Sequence, residues 1–385
     1  MKKILLRGSW QTKNIGDIAH TPGFLDLAAR FMPEVEVRLW PCAIDLGVRE
    51  MLLANFPGLR IAETDDEVRR AFAECDLLIN GSGPGIDIKG IQSWREQTGK
   101  PYGFFGISAD FRPWTDARRA VFSDASFIFC RDSLSVHFLR LQNLDCPVVE
   151  FGPDSTFGLK LEKTDASDFL RENGLEPGRF VCVIPRLRFT PSSFDEEHFH
   201  YNDPKKEAAS MQALEPDMEK LCAVITHIVR RHGLKVLICP EMTYQVPMGR
   251  RFLYEKLPSD VREKTVLKRE YWITSEAESV YAQAAALVSM EMHSPIIFIV
   301  EHKPALLLRQ AEDTWKGQMW RDLNMQDWIL ELNVSSAELI NRHLDRILLD
   351  YPAAVKQAEA AAELAVSAAG QAMERIRRIL NEGNK

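Results

Sequence analysis

The chemistry available to this sequence concentrates on basic and imidazole side chains placed where short apolar runs end. His293 and Ser294 lie just beyond the run ending at Ser289 and open a helical stretch, Pro295 to Val300. A helix N-terminus disfavours imidazolium and lets a neutral histidine act as donor or base near neutral pH. Ser294 is read there either as a ligand contact or as the helix cap. Arg131 follows the strand Phe127 to Cys130, with Asp132 in the turn and Ser133 or Ser135 able to cap the next helix. The guanidinium fork suits carboxylate or phosphate in bidentate fashion, unless it pairs with Asp132. Arg186 and Arg188 follow the strand Phe180 to Ile184 and, by β alternation, face the same way as a phosphate clamp.

Glycine loops at strand ends point to the same place. The first junction, LLRGSWQTKNIGDIAHTPG, carries Asn14, Gly16 and Asp17, with a helix expected from Asp17 or Thr21 and Asp17 a plausible cap. The second, LLINGSGPG, places Gly81, Ser82, Gly83 and Gly85 after a fully apolar strand, and a third places Gly106, Ser108 and Asp110. Ligands of open α/β sheets sit at such carboxyl ends, facing loop amides and helix N-termini. Neither a dinucleotide fingerprint nor a P-loop is present.

The elements that must position these groups alternate. Short apolar runs at Lys3 to Leu6, Glu36 to Trp40, Leu77 to Asn80, Tyr102 to Ile107, Phe127 to Cys130 and Val148 to Glu150 are separated by amphipathic stretches. The rhythm resumes at Phe180 to Ile184, Lys235 to Cys239, Thr265 to Leu267, Ala286 to Ser289 and Ala305 to Leu308. Such alternation implies parallel strands joined by crossover helices. A polar, Gly/Pro-punctuated break spans Lys160 to Arg179, so the expected organisation is an N-terminal unit at 1–165, a second at 175–350, and a C-terminal helix at 351–385. Ala353 to Leu380 repeats apolar residues at helical steps and buries one face, against one unit or both. Phe189 to Pro216 is a polar, proline-broken run read as a lid over a cleft; its His/carboxylate content fixes no metal geometry.

Composition narrows the function classes. Lys+Arg 48 against Asp+Glu 55 leaves a net charge of −7, which argues against coating nucleic acid through bulk charge. No stretch reaches the roughly 18 apolar residues of a membrane span, and the N-terminus lacks a signal-peptide core, so a cytoplasmic location is expected. The 7 cysteines form no CxxC and no zinc spacing, and read as buried thiols. No metal or cofactor is expected, and homo-oligomerisation stays open.

In order along the chain, these blocks resemble the polysaccharide pyruvyl transferase family. The resemblance rests on Asn-x-Gly-Asp (Asn14, Gly16, Asp17), the Gly81–Gly85 cluster and Arg-Asp-x-x-Ser (Arg131, Asp132, Ser135). It continues through Gly-Pro-Asp at Asp154 and a histidine block, Glu291–Met292–His293, with Lys316 downstream. It implies two Rossmann-like units facing a cleft in the GT-B manner, and transfer of the enolpyruvyl group of phosphoenolpyruvate to sugar hydroxyls of a glycan as a ketal. His293 would then be the acid/base, and Arg131, Arg186 and Arg309 or Lys316 would hold phosphate and carboxylate. Where the family carries arginine two residues before the histidine, this chain has Glu291, a carboxylate beside the expected anionic donor. The alternatives are a GT-B glycosyltransferase using a nucleotide sugar, and a weakened glycan- or anion-binding relative.

Overall fold

Strands buried on both faces have no polar side to show water, and they assemble here into two all-parallel sheets covered by helices. The computed structural model describes residues 1–83, 85–109 and 114–382. Asp110, expected at a ligand loop, lies outside them. The first sheet is built from β1 (Lys3–Gly8), β2 (Glu36–Pro41), β3 (Arg60–Ile61), β4 (Leu77–Asn80), β5 (Tyr102–Ile107), β6 (Phe127–Cys130) and β7 (Val149–Phe151). The helices α1 (Ile15–Phe31), α2 (Val48–Asn55), α3 (Asp65–Glu74), α4 (Ile88–Thr98), α5 (Asp116–Ser123) and α6 (Ser133–Arg140) cross between its strands. Its order is β3-β2-β1-β4-β5-β6-β7.

After α7 (Ser167–Glu172), the second sheet contains β8 (Phe180–Ile184), β11 (Lys235–Ile238), β12 (Thr265–Leu267), β13 (Ala286–Ser289), β14 (Ala305–Arg309) and β15 (Ile329–Glu331). A small hairpin, β9 (Ser193–Phe194) and β10 (Phe199–His200), stands outside it. The helices of this half are α8 (Pro204–His232), α9 (Gln245–Phe252), α10 (Ser259–Arg262), α11 (Thr274–Tyr281), α12 (His293–Val300), α13 (Gln318–Asp322) and α14 (Ala337–Leu349), and α15 (Tyr351–Glu382) ends the chain. The order β12-β11-β8-β13-β14-β15 repeats the doubly-wound pattern. In each sheet the winding reverses beside its first strand, between β1 and β4 and between β8 and β13. Crevices at such reversals are where open α/β sheets bind ligands.

Two expectations are corrected by local structure. The run read as a loop to Pro216 is helical from Pro204: Asp203 caps α8 by accepting from the Lys205 amide, and Pro204 takes the first-turn position. Pro216 sits inside that helix, tolerated because Leu214, Met218 and Leu221 bury its inner face. The segment between Phe189 and Asp203 keeps the β9–β10 hairpin, where Asp195 accepts from the Glu197 and His198 amides. Secondly, α1 begins at Ile15, and Asn14, not Asp17, is its cap, accepting from the Gly16 and Asp17 amides at 2.8 and 3.3 Å.

The two halves are fastened together. Asn14 and Met242 form an isolated antiparallel bridge. The Ile15 amide donates to Glu241 O (3.0 Å), and Thr274 Oγ1 donates to Ile15 O (2.6 Å). The α15 helix runs across both halves, touching α1 and α12. Its Ala358 and Ala365 join the second half's core, while Ala369, Met373 and Ile376 pack with Phe24 and Leu27 of α1. Alanine is what this seam requires, because helices approach closely only where side chains are small. Ala365→Leu should therefore lower stability by about 1–3 kcal/mol in a denaturant titration. Ala360→Leu, on the exposed face of α15, should stay within about 0.5 kcal/mol of wild type.

Candidate functional site

At the junction of the two reversal points a buried polar chain crosses from one half to the other. It begins with Arg131, which leaves β6 and donates to Asp154 Oδ2 (2.6 Å) and to Ser108 Oγ (2.9 Å). Asp154 is fully buried, and its Oδ1 lies 3.3 Å from Nε2 of His20 on α1. Burial alone would raise the Asp154 pKa, but His20, Arg131 and His293 outweigh it and hold the carboxyl well below its usual range. The His20 and His293 rings meet edge to face, with centroids 4.9 Å apart. His293 Nδ1 lies 3.3 Å from Glu241 Oε1, while Glu241 Oε2 accepts the Ser294 amide at 2.7 Å. These bonds keep the Glu241 pKa low against the opposing effect of burial.

The chain continues through Gln245. Its Oε1 accepts the Glu241 and Met242 amides, and its Nε2 donates to Glu291 Oε1 at 2.7 Å. Glu291 Oε2 faces Arg186 Nε at 3.4 Å, and Arg186 also pairs with Asp313. Burial, with Glu241 and Asp313 nearby, pushes the Glu291 carboxyl up to about 8 despite Arg186 and Lys316, so at neutral pH it is mostly uncharged.

Each sequence-derived candidate can be placed. His293, Arg131, Arg186, Asp17 and Ser294 belong to the chain or touch it. Asp17 takes the Gln11 side-chain amide and lies 3.7 Å from His20 Nδ1. Ser294 does not cap α12; that amide is held by Glu241, and the Ser294 hydroxyl lies 3.3 Å from the Tyr281 hydroxyl. Gly16 lets the His293 ring lie on the first turn of α1, where an added Cβ would fall 2.1 Å from His293 Cβ. Lys316 lies near enough to Glu291 and Asp313 to lower both pKa values.

Other candidates have structural duties. Asp132, rather than Ser133 or Ser135, caps α6, accepting from the Ser135 amide (2.7 Å) and hydroxyl (2.8 Å). It does not pair with Arg131, whose partner is Asp154. Ser133 instead joins the halves, donating to Asp322 from its amide (2.8 Å) and hydroxyl (2.7 Å). Gly81, Ser82 and Gly83 fold onto the first junction: Trp10 Nε1 donates to Ser82 O at 2.8 Å, and a Cβ on Gly83 would fall 1.9 Å from the Trp10 ring. β8 ends at Ile184, so Arg186 and Arg188 lie in loop and alternation does not govern them. Arg188 is bound by Asp217, Glu312 and Asn333, and Arg309 by Glu331, so neither joins the chain.

Sequence reading passed over His20, Glu241 and Gln245. His20 had a signal: it follows Asp17 by three residues, on the same helix face, at the ligand end of β1. Glu241 had one also, as an acidic residue just beyond the carboxyl end of β11.

Residues 10–311 match the sequence profile of polysaccharide pyruvyl transferases. The chain belongs to that family. No curated protein sequence matches it. Solved structures share the fold at low identity. The Staphylococcus aureus MnaA–UDP co-structure has TM-score 0.64 at 13% identity, covering 99% of this chain and 97% of that one. The UDP-GlcNAc 2-epimerase of Methanocaldococcus jannaschii has TM-score 0.63 at 12% identity, covering 99% and 100%. The Escherichia coli ADP-heptose LPS heptosyltransferase II has TM-score 0.53 at 12% identity, covering 91% and 100%. The architecture of this pyruvyl transferase family member is thus GT-B-like: two parallel sheets with helices and a long C-terminal helix.

Two predictions follow from this packing. Gly16→Ala would ordinarily stabilise a helix interior by up to about 1 kcal/mol. Here it should lower the urea midpoint, because the added methyl displaces His293. Glu291 also makes stability pH-dependent. Its folded pKa lies above the unfolded value, so the native state binds more protons and stability falls as pH rises toward and through about 8. Glu291→Gln should flatten that fall, gaining on wild type progressively between pH 5 and 9 in denaturation midpoints.

Proposed function

We propose that this protein transfers the enolpyruvyl unit of phosphoenolpyruvate to sugar hydroxyls of a glycan, forming a pyruvate ketal and releasing phosphate. The single observation that carries the reading, beside family membership, is the continuous chain placing His293 between Arg131 and Arg186. We take 1–165 and 175–350 as the units that open and close around it, since His20 and His293 are 2% and 6% exposed in this closed form.

His293 is the proton donor to the methylene carbon. Glu241 accepts the Nδ1 proton, which fixes the tautomer and leaves Nε2 as the working nitrogen. That atom is buried and makes no hydrogen bond among the described residues. Lys316, which has no ion pair among those residues, and Arg186 face the donor's carboxylate or phosphate once Glu291 is protonated. Arg131 would bind the other anionic group on opening, from its place on Asp154. Asn14, Gly16 and Asp17 hold the first turn of α1 against the reacting groups. Gly81, Ser82 and Gly83 support that loop from behind, and Ser135 holds Asp132 and the Ala109 amide. The thiols suit a reducing, cytoplasmic setting for exopolysaccharide assembly.

A nucleotide-sugar donor is the second reading. It is favoured by one fact: Arg131 and Arg186 are already neutralised by carboxylates, whereas a trianionic donor needs uncompensated cations.

Calorimetric titration with phosphoenolpyruvate and with UDP-sugars separates the two. Phosphoenolpyruvate should bind and the UDP-sugars should not; the reverse result makes the protein a glycosyltransferase, and binding of neither leaves a weakened relative. His293→Ala should bind phosphoenolpyruvate but release phosphate at least about 100-fold more slowly, keeping the native circular-dichroism spectrum while its thermal midpoint falls, because Glu241 loses its imidazole partner.

A further inference from the structure

Pyruvyl transfer moves more protons than one histidine handles in a single step. The methylene carbon gains a proton while an attacking hydroxyl loses one, and the departing phosphate takes one up. The centre described above holds a second imidazole that this reaction has not used.

His20 sits on α1, in the half of the molecule opposite His293, with the two rings 4.9 Å apart. Each ring is backed by a buried carboxylate: His293 by Glu241 at 3.3 Å, and His20 by Asp154 at 3.3 Å. Asp154 is in turn anchored by Arg131. Both ring nitrogens of His20, and Nε2 of His293, are buried without a hydrogen bond among the described residues. Asp17 stands 3.7 Å from His20 Nδ1, and Tyr271, whose buried hydroxyl makes no hydrogen bond among the described residues, interacts electrostatically with Glu241 and Asp17. Three imidazole nitrogens without a hydrogen bond in one buried space are costly unless something polar enters it.

Resting on the pyruvyl-transfer reading, we infer that His20 is the second proton-transfer group of this centre, the base for the first attacking hydroxyl. The step balances. His293 as imidazolium gives its proton to the methylene carbon, the π pair becomes the new C–H bond, and the first hydroxyl oxygen bonds to the neighbouring carbon. The proton of that hydroxyl passes to His20. The carbon–oxygen bond to phosphate then breaks with its electron pair on phosphate, which takes the proton from His20. The second hydroxyl closes the ketal and returns its proton to His293. Both rings end as they began, one charged and one neutral, the state that avoids two like charges 4.9 Å apart.

The test uses the full chain with phosphoenolpyruvate alone, water standing in for the sugar hydroxyl, and follows phosphate release and binding. His20→Gln should bind phosphoenolpyruvate within about twofold of wild type, release phosphate at least about 100-fold more slowly, and lose one limb of the pH–rate profile. His293→Gln should lose the other limb. His20→Asn is the second variant should His20→Gln fail to fold. The groups whose charges bear on those limbs are Asp17, Asp154 and Arg131 from the first half, and His293, Glu241 and Tyr271 from the second. A variant at position 20 that releases phosphate within threefold of wild type, with both limbs intact, overturns the inference and makes His20 a packing residue. So does a divalent metal retained at one per chain and lost in His20→Gln, since Asp17, His20 and His293 then form a metal centre. If wild type does not bind phosphoenolpyruvate, the pyruvyl-transfer reading falls and takes this inference with it.

Discussion

A buried carboxylate survives only where positive or hydrogen-bonding partners repay its lost hydration, and that constraint organises this molecule. Asp154 and Glu241 are both fully buried at the meeting of the two sheets. Each is paid for by an imidazole, and the two imidazoles come from opposite halves and touch each other. Each carboxylate keeps its partners within its own half, Asp154 with His20 and Arg131 and Glu241 with His293 and the Ser294 amide, and the halves meet there through the two touching rings and the Ile15–Glu241 backbone bond. The seam therefore runs between the two histidines, while α15, the Asn14–Met242 bridge and the Thr274–Ile15 bond fasten the halves around them.

The arrangement also bears on the anionic donor proposed above. Glu291 is a carboxylate beside Arg186, yet burial and neighbouring carboxylates push its pKa up to about 8. It is thus mostly uncharged at neutral pH. Arg186 is left with Asp313 as its main counter-charge, and Lys316 lies alongside. Under the proposed function, an anion beside Arg186 would bind more weakly as Glu291 ionises.

Much of the fold was legible because the strands are buried on both faces, so that Leu77–Asn80, Tyr102–Ile107 and Phe180–Ile184 stand out as continuous apolar runs. The short edge strands Arg60–Ile61 and Ile329–Glu331 were not, since two or three residues carry no pattern. The first twelve residues of α8 were hidden by Pro216, which reads as a break until tertiary packing is seen to hold the helix through it. In the site, His293, Arg131 and Arg186 were found from their positions after strands. Their neutralising partners were not, because Asp154, Glu241 and Asp313 lie 23, 52 and 127 residues away and only the fold brings them near. Arginines at strand ends look free in a sequence, and here each is matched to a carboxylate.

The central claim is that His20 and His293 form one functional centre shared between the halves. It is tested most directly by ¹⁵N NMR of histidine ring nitrogens during titration with phosphoenolpyruvate. The account predicts that the His20 and His293 signals move together along one binding curve, while those of exposed His198 and His200 stay still. Binding that leaves both buried rings unmoved would contradict it.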